Sequence, residues 1–125
     1  DVSTEFAEQT GVDLRLTSLE LATRLPGDIE LTLYRILQEA LKNVTEHARA
    51  HHVSVCLTLP DASVQLTIKD DGIGFDPDRP SARRKGKAGF GLLSMRERAA
   101  YVGGVLKVSS VRRAGTTIEV RIPLG

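Results

Sequence analysis

Three polar residues stand at intervals of four along one predicted helix. Glu39, Asn43 and His47 lie in a segment whose apolar residues recur every three or four positions. Because successive helical residues are rotated by about 100°, this spacing places a carboxylate, an amide and an imidazole on one edge of the helix. A carboxylate and an amide oxygen one turn apart suit hydrated Mg²⁺, which keeps several waters beside substrate phosphates. An ordinary solvated helix flank would show the same row.

A glycine-rich turn follows a predicted apolar strand at Asp70-Asp71-Gly72-Ile73-Gly74. Its two glycines allow the backbone to approach a ligand closely, and a carboxylate can accept a hydrogen bond from an exocyclic amine. An Asx turn that ends a strand would have the same sequence. The sequence argues against a calcium loop, because the required spacing of carboxylates and the closing glutamate are absent.

A third segment, Gly86-Lys87-Ala88-Gly89-Phe90-Gly91, leads into a predicted helix that begins at Leu92. Small residues and free amides at a positive helix end are the arrangement that binds phosphates. The basic residues at 83–85 and 87 favour an anion there. Neither a Walker A loop nor a Rossmann fingerprint is present, because Lys87 is followed by alanine and a third glycine is missing. The alternative is a loop that only caps the helix.

The histidines and the cysteine do not form a recognisable metal or redox motif. His47, His51 and His52 lack a fourth ligand at the spacing of a zinc site. The single cysteine, Cys56, has no partner for an internal disulfide or a Cys-x-x-Cys pair. A chain without disulfides fits a reducing compartment, so we expect a cytoplasmic location.

The elements that must position these segments follow from the periodicity of the apolar residues. In chain order they are a strand at 13–19, a helix at 26–48, a hairpin at 53–68, a polar loop at 70–91, a helix from 92 and a hairpin at 105–123. Because tight turns join most strands, the sheet must be largely antiparallel or mixed. We therefore predict a two-layer α/β sandwich, in which helices cover one face of a mixed, mostly antiparallel sheet.

Size and composition are those of an ordinary globular domain. The 125 residues, 41% hydrophobic and 26% charged, predict a single domain over 1–125 with a core that needs no disulfide or structural metal. A net charge of +1 and the lack of tryptophan argue against a protein that coats nucleic acid. No apolar run approaches a membrane span, so no membrane contact by this domain is expected. The start at aspartate rather than methionine predicts a piece of a longer polypeptide.

In their order and spacing, these segments resemble the catalytic ATP-binding domain of sensor histidine kinases. That superfamily also includes gyrase, the heat-shock chaperone ATPases and the mismatch-repair ATPases. The string QEALKN at 38–43 resembles the N box, DDGIGF at 70–75 the G1 box, GFGL at 89–92 the G2 box and GT at 115–116 the closing strand motif. Residues 33–48 and 91–98 are similar to the nitrate-sensor-like subfamily. Four motifs in the right order across residues 6–124 are far more specific than any one of them.

The resemblance implies a Bergerat-type ATP-binding fold and a role for each matching residue. Asn43 would ligate Mg²⁺, with Glu39 near the metal and the attacking group as polariser or base. Asp70 would accept a hydrogen bond from the adenine amine, and residues 75–88 would form the ATP lid. The other residues that it places around the nucleotide are His47, Gly72, Gly74, Lys87, Gly89, Gly91, Leu92 and Thr116. Of these, Gly72 and Gly74 would pass over the base, and Thr116 would support Asp70.

The function implied is transfer of the ATP γ-phosphoryl to a histidine on an adjoining dimerisation domain absent from this chain. A response regulator would act downstream, and the domain would lie in the cytosolic part of a sensor. Glu46 departs from the pattern, because the subfamily usually carries a basic residue just before His47. An anti-sigma-factor type serine kinase of the same fold, or a non-catalytic nucleotide-sensing module, is the alternative.

Overall fold

The computed structural model describes residues 13–18, 25–48, 50–73, 91–111 and 113–124. They form five strands, two helices and one π-helical turn. The strands are β1 (Asp13–Ser18), β2 (His52–Thr58), β3 (Ser63–Asp70), β4 (Val105–Val111) and β5 (Gly115–Pro123). The helices are α1 (Gly27–Asn43) and α2 (Leu92–Tyr101), and the π-helical turn spans Val44–Ala48. The lid predicted at 75–88 lies outside the described residues.

The five strands form one sheet in the order β1-β2-β3-β5-β4. β1 runs parallel to β2, whereas the β2–β3, β3–β5 and β4–β5 pairs are antiparallel. Both predicted hairpins are present, and the prediction of a mixed, mostly antiparallel sheet is confirmed. β3 and β5 lie side by side in the middle of the sheet, so Asp70 at the end of β3 faces Thr116 at the start of β5.

The core lies between the two helices and one face of the sheet. Alternate residues of β3 and β5 are buried, as period-two side-chain alternation requires, and the apolar stripes of both helices cover them. Among the helix residues, Ile36 and Met95 have no exposed surface. The opposite face of the sheet is more polar and carries Lys69 and Arg121, both exposed. The predicted two-layer arrangement is therefore confirmed.

The long helix differs from its prediction at its carboxyl end. The sequence predicts an α-helix through Ala48, but the α-helix ends at Asn43 and the chain continues as a π-helical turn. The hydroxyl of Thr45 donates a hydrogen bond of 3.0 Å to the Leu41 carbonyl, a side-chain bond that competes with the regular backbone ladder. Because the π-helical turn is wider, the rotation of about 100° per residue does not extend to His47.

Neither of the described helices is long and apolar enough to cross a membrane.

Candidate nucleotide-binding site

Asp70 stands at the end of β3, where the chain turns sharply. Only 7% of its surface is exposed, and its Oδ1 atom accepts a hydrogen bond of 2.8 Å from the backbone N–H of Gly72. This is the Asx turn that the sequence offered as one interpretation. A carboxylate can accept several hydrogen bonds, so holding Gly72 leaves Asp70 able to accept one from an amine as well.

Opposing interactions act on the pKa of the Asp70 carboxyl, and those that raise it are stronger. Burial raises the pKa of this carboxyl above its ordinary value, and the neighbouring Asp71 charge raises it further. Hydrogen bonds from the backbone N–H groups of Gly72 and Thr116 act in the opposite direction but do not cancel the rise in pKa. A buried carboxylate with fixed amide donors is a preorganised acceptor, which suits the recognition of one particular donor.

The start of β5 is fitted closely against Asp70. Gly115 has a φ of +91°, and a Cβ atom at this position would overlap the carbonyl oxygen of Asp70. The next residue, Thr116, is 8% exposed, and its hydroxyl shares a hydrogen bond of 2.8 Å with that of Ser110 on β4. Gly115 and Thr116 on β5 therefore pack directly against Asp70 on the neighbouring strand β3. Only glycine permits this close approach at that backbone conformation.

Two other predicted segments meet at the edge of α1. Glu39 and Asn43 are both half-buried, one turn apart, at the carboxyl end of the helix. Gly91 precedes α2 with a φ of +67°, and a Cβ atom there would come within 2.7 Å of the Glu39 Cδ. The carboxylate of Glu39 thus lies against the start of α2, where backbone amides form a positive helix end.

The other residues predicted for the site differ in their surroundings. Leu92 has a side chain that belongs to the core, with 4% exposure, so only its backbone is available to a nucleotide. His47 lies in the π-helical turn rather than on the α-helical row of Glu39 and Asn43, and Glu46 is exposed. Gly74, Lys87 and Gly89 lie outside the described residues.

The outer face of the sheet carries a contact that the sequence did not predict. Asp71 accepts hydrogen bonds from the backbone N–H groups of His51 and His52 and pairs with the imidazole of His52. The hairpin register contained this signal, because a turn centred on residues 60–63 pairs Val53 with Asp70 and brings His52 opposite Asp71.

Two concavities adjoin these elements. One, of about 350 Å³, lies beside the end of β3 and is lined by Lys69, Asp70, Asp71 and Ala114 with the start of β2. The other, of about 460 Å³, lies between α1 and α2, where Leu31, Arg35, Glu97 and Tyr101 contribute to its walls. Neither is enclosed by the residues that the structure describes.

A profile of the histidine kinase-, DNA gyrase B-, and HSP90-like ATPases matches residues 27–125. The chain belongs to this family. The match includes α1, the Asp70 turn, α2 and the Gly115-Thr116 pair, which are the elements that form the site described above.

Curated relatives extend the match to almost the whole chain. It is similar to the sensor histidine kinase LiaS of Bacillus subtilis, with 38% identity over 96% of the chain. It is also similar to the signal transduction histidine-protein kinase/phosphatase DegS of Brevibacillus brevis, with 35% identity over 95% of the chain. The match covers 31% of the former and 30% of the latter. The chain therefore corresponds to the ATPase part of much longer kinases.

Solved structures agree on the fold. A blue-light activated histidine kinase of Erythrobacter litoralis matches with a TM-score of 0.77 and 20% identity over 98% of this chain and 39% of its own. The Acinetobacter baumannii histidine kinase AdeS matches with a TM-score of 0.77 and 14% identity over 99% of this chain and 60% of its own. The sandwich of the histidine kinase ATPase domain is thus kept at low sequence identity.

Proposed function

We propose that this chain binds ATP together with Mg²⁺ and transfers the γ-phosphoryl group to a histidine on an adjoining dimerisation domain. The contact of Gly91 with Glu39 carries this proposal. It brings a carboxylate to the amino end of α2, where phosphates bind to free amides. Family membership supports nucleotide binding, and the names of the relatives support histidine as the acceptor.

Asp70 would recognise the base. Its carboxylate is an acceptor with a fixed direction, which matches the exocyclic amine of adenine and opposes the carbonyl that guanine carries at the same place. Gly72 leaves room for the ring to approach the turn, and Thr116 holds the strand behind it. We extend this role to Gly74, which completes the same glycine-rich segment.

Asn43 would ligate Mg²⁺ on the phosphate side, and Glu39 would lie near the metal and contact it through a bound water. An amide oxygen and a carboxylate one helical turn apart fit a hydrated Mg²⁺ that keeps most of its waters. The described residues contain no cluster of three or more histidine, cysteine or carboxylate side chains that would favour another metal site. When bound, the metal would neutralise charge on the phosphates during transfer.

The protein's part in the reaction is then chiefly positioning. Phosphoryl transfer needs the attacking and leaving groups in line, with the developing charge neutralised. Glu39 would orient the attacking imidazole and accept its proton, while the amides at Gly91 hold the phosphate chain. We assign Lys87 and Gly89 to the same phosphate end, His47 to its periphery and residues 75–88 to the lid.

The proposal also includes the place of this domain in a longer sensor protein. The chain would form one domain over residues 1–125 in the cytoplasmic part of a sensor. Its phosphoacceptor domain would lie elsewhere in the polypeptide, since the chain covers about 30% of its relatives. A response regulator would receive the phosphoryl group.

Incubation with γ-labelled ATP, Mg²⁺ and a separately made phosphoacceptor helix pair tests this function. We expect label on the acceptor that is stable in alkali and labile in acid, as phosphohistidine is. Glu39→Gln should abolish most of the transfer, whereas Glu30→Gln, at an exposed carboxylate of the first turn of α1, should not. Acid-stable label would indicate the serine kinase alternative. ATP binding without any transfer would indicate a nucleotide-sensing module.

A further inference from the structure

Asp71 is exposed, yet it makes four hydrogen bonds to His51 and His52. Its Oδ1 atom accepts from the backbone N–H groups of His51 at 2.8 Å and His52 at 2.9 Å. Its Oδ2 atom lies 2.9 Å from the imidazole Nδ1 of His52. The backbone N–H of Asp71 in turn donates to the carbonyl of His52 at 3.2 Å. Both the main chain and the side chain of Asp71 are therefore tied to the start of β2.

These bonds continue the sheet beyond its last regular pair. Val53 pairs with Asp70 in the β2–β3 register, and Asp71 adds a connection to β2 just past that pair. The chain then turns so that the Gly72 N–H points back to the Asp70 carboxylate. On the other side, the Ile73 carbonyl accepts a hydrogen bond from the Arg113 N–H in the β4–β5 turn. The turn that carries Asp70 is thus held on one side by the start of β2 and on the other by the β4–β5 turn.

The Asp71 side chain does not lie on the helix-covered face of the sheet, where the Asp70 side chain is buried, so we assign it no direct contact with a ligand on that face. Side chains alternate across a strand, and accordingly Asp70 is 7% exposed whereas the Asp71 side chain is 47% exposed. What it can control is the backbone that sets the direction of the Asp70 carboxylate.

We propose that Asp71 is a positioning residue for base recognition. By fixing the 70–72 turn to the start of β2, it holds the Asp70 carboxylate in the direction that an adenine amine requires. This role rests on the proposed ATP-binding function.

The electrostatics agree with a positioning role. Hydrogen bonds from the backbone N–H and the imidazole of His52 lower the pKa of Asp71 to about 2, so the side chain stays an ionised acceptor at neutral pH. The same charge is unfavourable beside Asp70, whose pKa it helps to raise. The Asp71 charge disfavours the ionised form of Asp70. The Asp71 side chain stabilises the turn through three hydrogen bonds, one from His51 and two from His52.

Calorimetric titration of the 125-residue chain with Mg²⁺-ATP and Mg²⁺-GTP tests this role. We expect Asp71→Ala to weaken ATP binding about tenfold and to reduce the ratio of GTP to ATP dissociation constants by the same factor. Asp71→Asn should recover most of both, because its amide oxygen still accepts from the two N–H groups. His52→Ala removes one of the three hydrogen bonds and should change the ratio about twofold. Glu30→Ala is the matched loss of an exposed carboxylate and should leave the ratio unchanged.

A double variant separates positioning from general stability. In an Asp70→Asn background, Asp71→Ala should cause no further loss of base preference, because the group that it positions has gone. The inference is overturned if Asp71→Ala keeps the wild-type ratio, or if ATP and GTP weaken equally together with a lower unfolding midpoint. A wild-type chain that binds no nucleotide would overturn the proposed function itself, and with it this role.

Discussion

The proposed base end and the proposed phosphate end of the candidate site are built differently. At the base end, Asp70 is buried, and the backbones of β2, β3 and β5 surround its turn. At the phosphate end, Glu39 and Asn43 are half-buried on the edge of a helix that changes from α to π geometry immediately afterwards. One end is defined by close backbone packing, and the other by the spacing of side chains along a helix.

This contrast indicates which substitutions each end tolerates. A carboxylate that selects one donor needs a fixed direction, and paired strands supply it because their facing backbone groups are hydrogen-bonded to one another. Side chains on a helix edge can be shortened with little effect on packing. Substitutions there should therefore change metal binding and phosphoryl transfer and leave the fold intact.

The largest effect is expected for Gly115→Ala. A Cβ atom would overlap the Asp70 carbonyl oxygen, and alanine is strained at a φ of +91°. Strain and overpacking together should lower the free energy of unfolding by about 3 kcal/mol. Urea denaturation measures this change. Gly27→Ala, where a Cβ atom meets nothing within 4 Å, is the control and should not destabilise the chain.

Asp70→Asn should act on binding rather than on folding. The amide replaces an acceptor with a mixed donor and acceptor, so binding of ATP should weaken by about 1–3 kcal/mol, the range for a mismatched buried hydrogen bond. Because burial raises the pKa of Asp70, the free protein should lose little stability or gain some. Calorimetry with ATP and GTP, alongside thermal unfolding, measures both. An unchanged affinity for ATP would remove Asp70 from base recognition.

Asn43→Ala should affect the proposed phosphate end and leave the proposed base end unchanged. It removes a proposed Mg²⁺ ligand, so the enhancement of ATP affinity by Mg²⁺ should fall on the order of tenfold. The affinity for adenosine and the unfolding temperature should stay close to those of the wild type. Titrations of ATP with and without Mg²⁺ measure the enhancement. If it survives in full, the helix row is an ordinary solvated flank.

The smallest effect concerns the acid stability of the base end. Hydrogen bonds from the backbone and side chain of His52 lower the pKa of Asp71 from its ordinary value of 3.8 to about 2. A carboxyl whose pKa is lowered by folding contributes stability that is present above pH 4 and is lost as the pH falls towards 2. Asp71→Asn should therefore flatten the decline in unfolding free energy between pH 4 and pH 2. Identical acid profiles would show that the hydrogen bonds to β2 do not depend on the charge of Asp71.

The sequence was a better guide to one end than to the other. Apolar alternation and the two tight turns were enough to predict both hairpins. The pairing of β3 with β5, which sets Asp70 beside Thr116, joins the two hairpins and does not follow from either turn. The prediction of α-helix is confirmed at Glu39 and Asn43 and is wrong at His47, whose backbone lies in the π-helical turn. Apolar periodicity carries no sign of the π-helical turn, which accompanies a hydroxyl bond from Thr45 to the backbone.

Contacts between distant segments were the hardest to foresee. The need for glycine at position 115 comes from the Asp70 carbonyl across the sheet, and no local pattern contains it. The closeness of Gly91 and Glu39 likewise depends on how α2 meets α1. The bonds of Asp71 to His51 and His52 required only the hairpin register, so this contact could have been predicted by counting residues from the turn.

Backbone NMR spectra of the chain, titrated first with adenosine and then with Mg²⁺-ATP, test the central claim that these two regions are the ends of one nucleotide site. With adenosine, the amide shifts that change should belong to the 70–73 turn and to Thr116. With Mg²⁺-ATP, changes should appear in addition at Glu39, Asn43 and Gly91. Adenosine-induced changes confined to the groove between α1 and α2, around Leu31 and Tyr101, would contradict the account.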